Sequence, residues 1–182
     1  MFLVDKIFVK VYNSNIGGAF CMNEIDRLQE FLLLIRRAAG WTAEEFGERI
    51  GVTRQTINNL EAKRNKLNKT QYIAIRAVLD AEMSASPDDT EMLRCLLDVL
   101  VDNPGNYKDE DREALLSKAN MLTPSILAGT TTRKEVSKEL MGAAGALGIA
   151  AALIAVPIIG TGAAIAGGTS AWLIKALSKK KD

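Results

Sequence analysis

Histidine is absent from the 182 residues of the chain. That removes the usual general base near neutral pH and the commonest neutral metal ligand. Cysteine is scarce: Cys21 and Cys95 lie far apart and form no metal-type pair. Neither a zinc site nor a disulfide framework is expected, and a reducing cytosol suits both thiols. Net charge is missing as well, with 23 basic side chains against 22 acidic ones, so only local clustering of charge can point to a partner. No phosphate-cradling Gly-Lys-Ser/Thr sequence occurs. The stretch Ile159-Gly-Thr-Gly-Ala-Ala-Ile165 has the outline of a dinucleotide-binding turn. Ile165, however, stands where a third small residue is needed, and too little chain follows for a βαβ unit. Enzyme chemistry, a metal and a cofactor are therefore not expected.

The length allows one or two small domains. Residues 1–22 are read as an extension. Phe2, Val4, Ile7, Val9 and Val11 alternate weakly, and Asn13 to Gly18 breaks the pattern. Asp5, Lys6 and Lys10 interrupt the apolar run, so it is a poor secretory signal, and Phe20 before Cys21 argues against a lipoprotein cleavage site. A clean amphipathic helix begins only after Met22, which is read as the natural start; the rival reading is a short strand that pairs with a partner.

From there the pattern is helical, and the fold class expected is all-α. Ile25, Leu28, Leu32 and Ile35 recur at helical spacing over Asn23 to Ala39, and Gly40 ends that helix. Thr42 with Glu45 forms a capping box for a helix that stops at Gly51. Thr53 caps a third helix from Arg54 to about Glu61, residues 65–69 form a polar loop, and a fourth helix spans Thr70 to Met83. Residues 84–89, with Ser84, Ser86 and Pro87, read as a linker and domain boundary. A connector over 84–139 follows. It holds a helix over Thr90 to Val101, a turn at Asn103-Pro104-Gly105-Asn106, a helix over Lys108 to Met121, and a last helix starting near Arg133 behind the competing caps Thr130, Thr131 and Thr132.

The stretch that carries a function runs from Trp41 to Glu61. Phe46 and Ile50 lie one turn apart and face a shared core, which Val52, Ile57 and Leu60 close from the next helix. Gly47 is read as the point where two helices cross, and Gly51 as a left-handed helix end, which costs glycine little. The expected product is two short helices joined by a three- or four-residue turn.

With Gly47, Gly51, Val52, Arg54-Gln55-Thr56-Ile57 and Leu60-Glu61 in these places, the pattern resembles the Cro/C1-type (XRE-type) helix-turn-helix family over about 60 residues. The resemblance implies a lambda-repressor-like unit of four or five helices at 23–83, with double-stranded DNA as partner and a homodimer as an assembly to consider. It implies that the third helix enters the major groove. By position, Arg54, Gln55 and Asn59 would face base edges, since Arg can take guanine bidentately and Gln or Asn can take adenine. Thr53 and Thr56 would sit at the DNA backbone. One departure is Ala43, where many members carry a glutamine that touches phosphate. From Arg49 to Lys69, six basic residues (Arg49, Arg54, Lys63, Arg64, Lys66 and Lys69) face Glu61 alone. Lys63, Arg64 and Lys66, directly after the third helix, are assigned to phosphate.

The tail is the second unusual feature. Leu140 to Ile174 holds no charged residue and is rich in Ala and Gly. The expected form is a hydrophobic helical hairpin within 140–177, with arms Leu140 to Ile158 and Ala163 to Leu177 turning at Gly160-Thr161-Gly162. It would insert in the membrane with both ends in the cytoplasm, because Arg133, Lys134, Lys138, Lys175 and Lys179 to Lys181 flank it. A single tilted span and a soluble helix pair are the other two readings. Small residues four apart, such as Gly142 with Ala146 and Ala144 with Gly148, permit close helix contact in all three. The function expected is a sequence-specific transcriptional regulator tethered to the membrane. The alternative is a membrane-active or membrane-sensing protein whose helix-turn-helix serves autoregulation or protein assembly.

Overall fold

The computed structural model describes residues 23–149, and among these residues the regular elements are all helical. The readings that fall on residues 1–22 and 150–182 lie outside the described residues. They include the start at Met22, the N-terminal strand, the Gly160-Thr161-Gly162 turn and the second arm of the hairpin.

The first amphipathic segment forms two consecutive pieces, α1 (Glu24–Glu30) and α2 (Leu32–Ala38). Asn23 caps the start, its side chain accepting from the Asp26 amide at 3.0 Å. The expected single helix is broken at Phe31 (φ −105°, ψ 11°), yet the i to i−4 bonds Phe31 N to Arg27 O and Ile35 N to Phe31 O run through the break. Gly40 ends α2 with φ +76°. The next helix, α3 (Ala43–Ile50), has the expected capping box, in which Glu45 N donates to Thr42 Oγ1 at 3.2 Å and Thr42 N to Glu45 Oε2 at 2.7 Å. Those bonds from Thr42 hold the Glu45 carboxyl below the usual carboxylate range. Gly51 closes α3 at φ +77°, and three residues later α4 (Arg54–Glu61) begins. A second capping box, Asn68 with Gln71, starts α5 (Lys69–Ala85) one residue earlier than expected.

After a 3-10 turn at Pro87–Asp89 comes α6 (Glu91–Leu97), which widens into a π turn at Asp98–Asp102. Met92, Leu93, Cys95, Leu96, Leu97, Val99, Leu100 and Val101 are all buried. Glu91 and Arg94 are the exposed residues of α6; its apolar residues pack on α2, on α5 and on α8 (Arg133–Ala146). Burial pushes the Cys95 thiol up to about 12, which keeps it in the unreactive protonated form. The long helix α7 (Asp109–Leu127) covers α2 and α8. It extends past the expected end at Met121 and through Pro124, because Thr123 is buried and Ile126 packs on the core.

Buried residues from both sides of 84–89 make one contiguous cluster, running from Leu28 to Ile149. One polar fastener holds α8 to the first five helices, and a second holds it to α6. Arg133 donates through Nη1 to Ala39 O at 3.0 Å, at the end of α2, and to Glu82 on α5 at 2.5 Å. Its stem lies beside Gly40, where a Cβ would meet Arg133 Cδ at 3.0 Å. Ser137 of α8 accepts from the Met92 amide at 3.4 Å, supplying an acceptor to a helix start whose own flanking residue, Thr90, provides none.

This packing corrects the expected first membrane arm. Leu140, Ala144 and Ile149 are buried in the protein core, and α8 ends at Ala146, followed by Gly148 at φ +78°. Arg133 is a structural fastener rather than a flanking charge. Gly142 and Ala146 are exposed, and nothing lies within 4 Å of the Gly142 position, so their spacing serves no close helix contact among the described residues. No helix among these residues is long and apolar enough to cross a membrane.

Gly47 also has a sharper reason than the crossing of two helices. A Cβ there would meet the backbone carbonyl of Val52 at 2.6 Å and the Thr53 carbonyl carbon at 3.3 Å. The turn folds directly over Gly47, whose own carbonyl accepts from Val52 N at 2.8 Å. Backbone cannot swing aside like a flexible side chain. Gly47→Ala, the smallest possible addition, is therefore expected to lower stability by about 1–3 kcal/mol, the usual range for overpacking. Thermal melting checks this, and an unchanged melting temperature would refute the steric account.

Candidate nucleic-acid interface

The helix-turn-helix is built from α3, the turn Gly51-Val52-Thr53 and α4. Phe46, Ile57 and Leu60 are fully buried and hold the pair together, while Ile50 and Val52 are half-buried at its edge. Thr53 caps α4, accepting from the Thr56 amide at 3.2 Å, and its hydroxyl lies 3.0 Å from that of Thr56. The start of α4 therefore presents Thr53, Arg54 and Gln55 to solvent, with Thr56, Asn58 and Asn59 half-buried behind them. Gln55 Nε2 donates to Asn59 Oδ1 at 3.1 Å. That contact leaves a free amide oxygen on Gln55 and both amide hydrogens on Asn59, so the two side chains form one polar unit on the exposed face. Ala43, at the start of α3, has no side chain that could orient Gln55; Asn59, one turn along the same helix, does so instead.

The other end of α4 is clamped by a buried ion pair. Arg36 of α2 meets Glu61 in a forked contact, Nε to Oε1 at 2.5 Å and Nη2 to Oε2 at 3.1 Å, and donates through Nη1 to Trp41 O at 2.7 Å. Both side chains are more than nine-tenths buried. The contact shows why Glu61 does not offset the nearby cations: its charge is spent on Arg36.

The cations themselves divide. Arg49 lies over the Trp41 ring, 4.5 Å from the centroid, and Trp41 stacks on Phe46 at 5.7 Å. Lys63, in the left-handed region at φ +55°, reaches back to Glu30 of α1 at 2.5 Å. Arg54, Arg64 and Lys66 are exposed and form no ion pair among the described residues. Of the side chains assigned to DNA from the sequence, Thr53, Arg54, Gln55, Thr56 and Asn59 thus lie together on α4. Arg64 and Lys66 lie on the loop that follows, and Lys63 is held on the first helix. The positioning groups Gln29, Arg36 and Glu61 were not among the sequence assignments, since their partners stand 25 or more residues away. The local signal was a pair of arginines, Arg36 and Arg37, between the apolar run Leu32 to Ile35 and Ala38, and it does not say which of the two turns inward. Among the described residues no group of His, Cys, Asp and Glu could hold a metal ion.

A helix-turn-helix family model matches residues 32–84, the span from α2 to nearly the end of α5. Antitoxin HipB of Escherichia coli (strain K12) is 31% identical over 71 residues, covering 36% of this chain and 81% of that protein. No solved structure matches the chain. With the capped α3, the glycine turn and the polar face of α4 all in place, the chain belongs to the Cro/C1-type (XRE) helix-turn-helix family.

Proposed function

We propose that the protein is a sequence-specific DNA-binding regulator in which α4 enters the major groove. The observation that carries this reading is the exposed polar start of α4, capped at one end and clamped at the other, beside two cations with no acidic partner. Arg54, Gln55 and Asn59 would read base edges, Thr53 and Thr56 would meet the DNA backbone, and Arg64 and Lys66 would take phosphates. Lys63 could join them only by leaving Glu30. Two copies on adjacent half-sites would present two such helices one helical turn apart. DNA contact would place this domain in the compartment that holds the DNA.

The test is a gel-shift series with specific and scrambled duplexes across salt concentrations. Arg54→Ala and Gln55→Ala are each expected to cost roughly 1–3 kcal/mol on the specific duplex and little on the scrambled one. Lys66→Ala should weaken both equally and reduce the log–log salt slope by about 1. Equal loss on both duplexes for Arg54→Ala would remove it from base reading.

A membrane association remains part of the proposal, in changed form. With Leu140, Ala144 and Ile149 buried in the protein core, the charge-free run beyond Ile149 is residues 150–174, or 25 residues. That matches one crossing of about 20 residues and falls well short of two. Fractionation decides: the full chain is expected in the membrane pellet after carbonate washing. Recovery in the supernatant would end both the tether and the alternative of a membrane-active protein. In that case HipB, named an antitoxin, would favour a regulator that also binds a protein partner.

A further inference from the structure

We propose that Gln29, on the first helix and remote from the exposed face of α4, is the positioning residue for the basic loop that follows the recognition helix. The inference rests on the DNA-binding reading above and extends it to a residue with no DNA contact of its own. Gln29 is about nine-tenths buried, an unusual place for an amide. Its Nε2 donates to Leu60 O at 3.0 Å and to Asn65 O at 2.6 Å, and its Oε1 accepts from Leu67 N at 3.0 Å. One side chain therefore ties the last turn of α4 to two points of the loop, on either side of Lys66.

The loop needs such a tie. It leaves α4 with Lys63 in the left-handed region, which residues with a side chain rarely adopt. Its backbone turns back so that Arg64 N donates to Asn59 O at 2.9 Å. No helix or strand ladder satisfies Asn65 O or Leu67 N; Gln29 does. Leu67 is buried while Arg64, Asn65 and Lys66 are exposed, so the tie holds an apolar anchor inward and two cations outward. Beside it, Glu30 draws Lys63 toward α1. The first helix thus sorts the three cations, retaining one and presenting two at a set distance from α4. The product is a pre-ordered phosphate contact, which avoids the ordering cost that a floppy loop would incur on binding.

Gln29→Met keeps the length and removes every hydrogen bond. If Gln29 positions the loop, the variant binds specific and scrambled duplexes more weakly by a similar factor, and their affinity ratio is kept. Its log–log salt slope becomes shallower by up to about 1.8, the share of two phosphate contacts at about 0.9 each. Adding Arg64→Ala and Lys66→Ala to it then changes little, whereas the same pair in the native chain reproduces the loss. An unchanged slope would overturn the proposal, as would full additivity of the two sets. Loss of any slope in the native chain would instead refute DNA binding itself. Amide exchange in the native chain without DNA tests the same point independently of folding in the variant: the Leu67 amide should exchange slowly, and rapid exchange would show a loop that Gln29 does not hold.

Discussion

The buried guanidinium of Arg36 is the constraint on which the interface depends. It joins three parts of the chain: α2, the loop at Trp41 that leads into α3, and, 25 residues away, the last residue of α4. Taking both charges out of water is expensive, and a buried pair need not add net stability. Its geometry is what matters. The forked contact accepts Glu61 in one orientation only, and removing either partner would leave a buried charge uncompensated, at a cost of roughly 3–5 kcal/mol. The recognition helix is thereby held at its far end by a directional contact. Its near end is set by the glycine turn and the Thr53 cap. The helix between them is free to expose polar side chains because its position does not depend on them.

Around that unit the rest of the described chain forms a jacket with an apolar axle. Helix α6 buries all its apolar side chains, and its π turn continues the apolar run through Val99, Leu100 and Val101. The turn leaves irregular backbone, and polar groups of the first five helices meet it: Arg27 Nε donates to Val101 O at 2.7 Å, and Arg76 pairs with Asp102 at 2.9 Å. Burial pushes the Asp102 carboxyl up, against the pull of Arg76. The first five helices and the last three are thus coupled through carbonyls and charges as well as through the shared core. Arg133 of α8 binds the carbonyl of Ala39 at the end of α2, two residues before Trp41.

Charge follows the same logic of sharing between structure and surface. A nearly neutral chain can still present a positive face if its acids are consumed internally. Glu61 is spent on Arg36, Glu30 on Lys63 and Glu82 on Arg133. Of the cations over 49–69, Arg54, Arg64, Lys66 and Lys69 remain exposed and outside the ion pairs of the described residues, and Arg49 lies on Trp41. Counting charges along residues 49–69 finds the right neighbourhood but cannot tell which cations are already engaged.

Local chemistry was legible in the sequence by itself. The Thr42–Glu45 box, the Thr53 cap and the glycine ends at 40 and 51 each depend on neighbours within about four residues. All of them stand where the residue types place them. The exposed start of α4 follows from the same short-range rules. What only the tertiary structure decided are the contacts between residues far apart in the chain. They include the burial of Leu140 and Ala144, which an uncharged run made look like lipid-facing surface, and the passage of α7 through Pro124. They also include the backbone carbonyl over Gly47, the seating of Arg133 on Ala39 and Glu82, and the grip of Gln29 on the basic loop. An apolar side chain is equally satisfied by lipid and by a protein core, and an arginine equally by phosphate and by glutamate. The choice depends on which partner the fold brings within reach, and spacing along the chain does not carry that information.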